Sequence, residues 1–133
     1  MELIELEKPD QAHNSEIRQR AEHVGHAGYT RHFVALDQGQ EVAFVALDFY
    51  PPGDPLWLYD LHVPKKIRRS HVGTRVLQAV EVLVLKYGYA AVNLHPKSLD
   101  KDFPDEKLVE WYARCGYTKV DGYVGVTLSK SLL

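Results

Sequence analysis

The chain has 133 residues, a formal net charge of −2, 45% hydrophobic and 26% charged residues, the balance of a globular domain with one core. No apolar run approaches the ~20 residues that cross a bilayer, and the slightly negative charge speaks against general affinity for nucleic acid or other polyanions. Cys115 is the only cysteine, which excludes an internal disulfide and suggests a reducing compartment. With an acidic, alternating start, Met1-Glu2-Leu3-Ile4-Glu5-Leu6-Glu7, unlike a leader peptide, the expectation is one cytoplasmic domain spanning residues 1–133, with no membrane partner.

In chain order, Leu3-Ile4-Glu5-Leu6 reads as a first strand that stops before Pro9, and Asp10 to about Glu22 as a polar helix capped by Asp10. His23–Tyr29 reads as a loop or a second short helix. His32–Leu36 and Glu41–Leu47 form strands joined by the turn residues Asp37-Gln38-Gly39-Gln40. Pro51-Pro52-Gly53-Asp54-Pro55 is a loop. A strand over Leu56–Val63 ends at Pro64. Val72, Val76, Val80, Leu83, Val84 and Tyr87 then recur at helical spacing, and Gly88 stops that helix. Tyr89–Leu94 is a strand. Asp102, Pro104, Asp105 and Glu106 announce a last helix that Gly116 closes, and Tyr117–Val120 and Tyr123–Ser129 form a hairpin through Asp121-Gly122.

The passage between the Leu56–Val63 strand and the Val72–Tyr87 helix carries the chemistry. Lys65, Lys66, Arg68 and Arg69 gather cations where a helix begins, and the unpaired N–H groups and positive dipole of a helix start suit a phosphate. One local basic knot on an acidic chain points to one anionic ligand. It is too short, and lacks the interleaved aromatics, for a nucleic-acid patch.

Val63-Pro64-Lys65-Lys66-Ile67-Arg68-Arg69-Ser70-His71-Val72-Gly73-Thr74 resembles the acetyl-CoA pyrophosphate turn of GCN5-related N-acetyltransferases (the GNAT superfamily), Gln/Arg-x-x-Gly-x-Gly/Ala. Arg68 matches the opening residue and Gly73 the closing one. His71 stands where the family has its first glycine, and a negative φ at the helix start would make a side chain acceptable there. The element order is also that of the superfamily. The resemblance implies an α/β (α+β type) GNAT fold: a mixed, mostly antiparallel six- to seven-stranded sheet flanked by helices, with a splayed central parallel pair.

It further implies that Leu61, His62 and Val63 present backbone to the pantetheine arm, with Arg68, Arg69, Ser70, His71, Val72, Gly73 and Thr74 around the pyrophosphate. Tyr112-Ala113-Arg114-Cys115-Gly116-Tyr117 resembles the family's Tyr-x-x-x-Gly-Phe, in which the tyrosine protonates the departing thiolate. Read without the resemblance, Leu108, Trp111, Tyr112 and Cys115 make an ordinary apolar stripe, with Cys115 a small core residue rather than a nucleophile. Asp105 occupies a place where several members have an asparagine on the pantetheine arm, and is read here as a cap of its own helix.

No general base emerges. The family's positions for it hold Tyr59 and Trp57, while Asp60 and His62 alternate to the other face of the strand and would need a bulge to reach the cleft. His13, His23, His26 and His32 have no metal-ligand spacing, so no metal is expected. The expectation is therefore an N-acetyltransferase that takes acetyl-CoA as co-substrate and passes the acetyl group directly to a primary amine of a small molecule or peptide. Pairing into a homodimer is frequent in the superfamily. Rival readings are transfer of a longer acyl group and a degenerate module that binds CoA or a protein without turnover.

Overall fold

The structure, a computed structural model, describes residues 1–26, 28–50, 55–68, 71–98 and 103–133. The expectations placed on Pro51–Asp54, Arg69, Ser70 and Asp102 lie outside the described residues. The strands are β1 (Glu2–Leu6), β2 (Thr30–Asp37), β3 (Gln40–Asp48), β4 (Leu56–His62), β5 (Ala91–Leu94), β6 (Thr118–Val120) and β7 (Thr127–Ser131); the helices are α1 (Ser15–Val24), α2 (Val72–Lys86) and α3 (Asp105–Arg114). They form one seven-stranded sheet in the order β1-β2-β3-β4-β5-β7-β6. β4 and β5 run parallel and the other neighbours antiparallel, which is the expected mixed sheet.

The β2–β3 hairpin turns on Gln38 and Gly39, both at positive φ, the two-residue geometry that matches strand twist. β3 lies inside the sheet with helices over both faces, so its run Val42–Leu47 is buried throughout. On one face, Val76, Leu77, Val80 and Val84 of α2 and Tyr112 of α3 pack on Ala43, Val45, Leu47, Leu56, Leu58 and Leu94. On the other, Ile17 and Ala21 of α1 pack on Val34, Phe44 and Ala46.

Three expectations need correction. The first helix begins at Ser15 rather than Asp10, because Asn14 Oδ1 accepts from Ile17 N at 3.0 Å and Glu41 of β3 accepts from the amides of His13 and Asn14. These bonds fix the helix start, while Pro9–Gln11 forms a separate 3-10 turn and no second helix forms near His26 among the described residues. Asp105 is the first residue of α3 and accepts from Ser98 N at 2.8 Å, so it ties down the segment after β5 instead of capping. The final hairpin has a longer loop, because Val120 pairs with Thr127 and Tyr123 packs edge-on against Trp57.

His32 is fully buried; its Nε2 bonds Gly25 O at 2.6 Å and its Nδ1 has no partner among the described residues. Burial, reinforced by the neighbouring His26 charge and opposed by the Gly25 bond, holds its pKa below the ordinary histidine value. The unfolded chain therefore takes up this proton first, and stability falls as pH drops below about 6.5 toward the lower folded value. Melting temperature against pH should fall more steeply there in the wild type than in His32→Leu; equal slopes would assign the acid loss elsewhere.

Candidate active site

β4 meets β5 only at Leu56–Val92, Trp57–Asn93 and Leu58–Leu94. On its other side it stays paired with β3 as far as His62 and Phe44. From Tyr59 onward the β5-facing edge of β4 thus has no strand partner among the described residues, which leaves backbone groups for a ligand to pair with. A cavity of about 460 Å³ opens at this fork.

The fork carries a bulge. Asp60 lies opposite Ala46 and Leu58 opposite Leu47, so Tyr59 is the extra residue. Leu58 and Leu61 consequently both turn toward the α2 face, while Asp60 and His62 turn toward α1 and still line the cavity. The bulge that these two residues were expected to need in order to reach the cleft is thus present. Tyr59, pushed out by the bulge, is 59% exposed.

Every expected site residue that the structure describes lines this cavity: Leu61, His62, Val63, Arg68, His71, Val72, Gly73, Thr74 and Tyr112. Arg20 of α1, His95, Lys97, Phe103 and Trp111 join them. Arg20 and His95 come from segments remote in sequence. Their only sequence signals were a charge on a weakly patterned helix and a histidine at a strand end. Trp111 was legible only as core.

At the start of α2, the first helical bond runs from Arg75 N to His71 O. No side chain caps the helix, and the amides of Val72, Gly73 and Thr74 have no acceptor among the described residues. His71 sits at φ 59, ψ 32, the left-handed region. Its assignment to negative φ is thereby corrected: the position does use the geometry that glycine adopts without strain. At Gly73 a Cβ would lie 3.4 Å from Trp111 Cζ2 and 4.0 Å from Val63 Cγ2, which is ordinary van der Waals contact.

Arg68 Nε donates to Val63 O at 2.7 Å, so that carbonyl is engaged by the protein itself. His71→Gly should relieve a left-handed cost of about 1–2 kcal/mol and give back about 0.4–1 kcal/mol through the more flexible unfolded chain. A rise of a few degrees or less in melting temperature is expected, whereas β-branched His71→Val should lower it.

Tyr112 is 6% exposed, and its ring packs edge-on against Trp111 and Tyr117. Burial, with the negative charge of Asp60 next, pushes its pKa above the ordinary phenol value, so it is a protonated donor. Among the described residues its hydroxyl makes no hydrogen bond. Its helix end is held firmly: Lys130 Nζ reaches Cys115 O at 2.9 Å and Glu81 Oε1 at 3.0 Å, and Tyr117 donates to Glu81 at 2.9 Å. Burial also raises the Cys115 thiol pKa, which leaves it a poor nucleophile.

On the α1 side, Arg20 grips Asp60 bidentately at 2.7 and 2.8 Å, and Glu16 Oε2 lies 2.7 Å from His62 Nε2. Among the described residues no group of His, Cys, Asp or Glu is placed to hold a metal, and no helix is long and apolar enough to cross a membrane.

A forked parallel pair with a helix start at its mouth is the arrangement that the sequence resemblance implied. The sequence model of the acetyltransferase (GNAT) domain matches residues 28–119, and the chain belongs to that family. Among solved structures it is similar to an aminoglycoside 6'-N-acetyltransferase complexed with coenzyme A, with 18% identity and a TM-score of 0.67 over 100% of this chain and 98% of the other. An aminoglycoside 6'-N-acetyltransferase from Enterococcus faecium is 17% identical with a TM-score of 0.64, over 100% of this chain and 98% of the other. The PaiA N-acetyltransferase from Thermoplasma acidophilum in complex with coenzyme A is 14% identical with a TM-score of 0.59, over 87% of this chain and 67% of the other. No curated protein sequence matches the chain.

Proposed function

We propose that residues 1–133 act as one N-acetyltransferase domain that moves an acetyl group from acetyl-CoA to a primary amine by direct attack. The observation that carries this reading is the meeting, in one cavity, of the open β4 edge, the uncapped amides of Val72, Gly73 and Thr74, and Tyr112. The solved relatives with coenzyme A bound support the donor. In this scheme the pyrophosphate rests on the α2 amides, with Arg68 and Lys97 offsetting its charge, and the pantetheine arm lies along Leu61 and Val63. A freed β4 amide stabilises the negative charge that develops on the thioester oxygen. The amine attacks the carbonyl carbon, the C–S bond breaks, and Tyr112 gives its proton to the sulfur. Cys115 takes no part, so no covalent acyl-enzyme forms.

The test pairs a thermal shift with acetyl-CoA and thiol release across a panel of primary amines. Stabilisation with thiol release supports the proposal. Absence of stabilisation removes it, and stabilisation without release from any amine favours a module that binds CoA without turnover. Parallel runs with longer acyl-CoA donors decide the acyl length.

A further inference from the structure

The transferase reading leaves open what takes the proton from the incoming ammonium. We propose that His62 is that proton acceptor and that Glu16 is its positioning residue, an inference that rests on the proposed acetyl transfer and adds a role to the same cleft.

The geometry discriminates among the groups lining the acceptor side. Asp60 has both oxygens committed to Arg20, and the pair is 11% and 16% exposed, so its lone pairs are occupied by a permanent cation. Tyr59 is a phenol thrown outward by the bulge. His62 is built differently. A carboxylate can only accept, so the 2.7 Å contact with Glu16 places the ring proton on Nε2 and the lone pair on Nδ1. The ring forms part of the cavity wall, and its side chain is only 14% exposed.

Glu16 is itself fixed, because it accepts from the Lys65 amide at 3.2 Å and sits in the first turn of α1. The charges around His62 are Glu16 and Arg20 from α1, and Asp60 on its own strand. Burial lowers its pKa most, Arg20 lowers it further, and Glu16 and Asp60 oppose. The ring is thus neutral at neutral pH, and the Glu16 carboxylate already bonded to it stabilises the ring once protonated. That combination suits a base that must take a proton and then release it.

The step balances as follows. R–NH3⁺ gives one proton to His62 Nδ1, and the freed lone pair forms the C–N bond. The C–S bond breaks, and the sulfur takes the Tyr112 proton. The surplus proton on nitrogen restores Tyr112. The imidazolium returns its proton to solvent, so each turnover releases one.

The experiment measures thiol release against pH with acetyl-CoA and an amine that the wild type accepts, alongside the thermal shift given by acetyl-CoA alone. His62→Gln should lower kcat by about 10²-fold or more and abolish the acidic limb of the profile, with the acetyl-CoA shift unchanged. His62→Asn serves as the second variant should Gln fail to fold. Glu16→Gln should move the acidic limb to lower pH while keeping part of the rate, a change that a purely structural contact would not cause. An acidic limb that persists in both His62 variants, or that disappears instead in His95→Gln, overturns the assignment. Thiol release absent from the wild type overturns the transferase reading and this inference together.

Discussion

Tyr112→Phe is expected to cut turnover about 10²-fold, within the range of a lost general acid, while the thermal shift with acetyl-CoA stays as in the wild type. The change removes one oxygen from a ring that is 6% exposed and held between Trp111 and Tyr117. Because the hydroxyl has no hydrogen-bond partner among the described residues, its removal strands no buried group and should cost little stability. A core role and a catalytic role therefore separate cleanly. An unchanged kcat would return Tyr112 to the core, and a large fall in melting temperature would show a structural hydroxyl. Leaving groups offer a further check: a donor with a more acidic thiol needs less protonation and should show a smaller effect of the substitution.

Asp60→Ala should produce the largest loss of stability among the site variants. Removing one partner of a buried ion pair costs about 3–5 kcal/mol because the other charge is stranded. The Arg20–Asp60 pair keeps 16% and 11% exposure, so water screens the stranded guanidinium and the lower end, about 3 kcal/mol, applies. For a domain of this size that corresponds to a melting temperature lower by roughly 10 °C. The reason it exceeds a surface pair is geometric: two short bonds dock α1 onto β4 beside the cavity. Replacing both partners by apolar residues, Arg20→Met with Asp60→Leu, should recover most of the loss. Calorimetry of the single and double variants checks both statements, and a single variant that melts with the wild type would show that α1 is held by Ile17 and Ala21 alone.

Much of the fold was legible because it follows from local rules. Short apolar runs marked β2 and β3, and Asp37-Gln38-Gly39-Gln40 marked their turn. The spacing of Val76, Val80 and Val84 marked α2. The first helix was misplaced because Asp10 and Asn14 are equally good caps by residue type. The choice between them was made by Glu41, which is far away in sequence and adjacent only once β3 is in the sheet. The loop of the last hairpin was read too short because Tyr123, Val124 and Val126 look like a strand, yet Tyr123 is drawn to Trp57 and Val124 is left 97% exposed.

The site divides along the same line. By itself the sequence determined the basic turn before α2, the glycine at 73, and the frame that places Tyr112 one turn before Gly116, since each depends on neighbours within a few positions. Only the tertiary structure decided the bulge at Tyr59, the left-handed backbone of His71, the arrival of Arg20 and His95 at the cleft and that of Glu16 beside His62. A bulge is a mismatch between two strands, and the meeting of α1 with β4 depends on how the two elements pack. Neither is a property of one segment. Which face Asp60 and His62 occupy therefore depends on how β4 meets β3, and that pairing sets which side chains of β4 line the cleft.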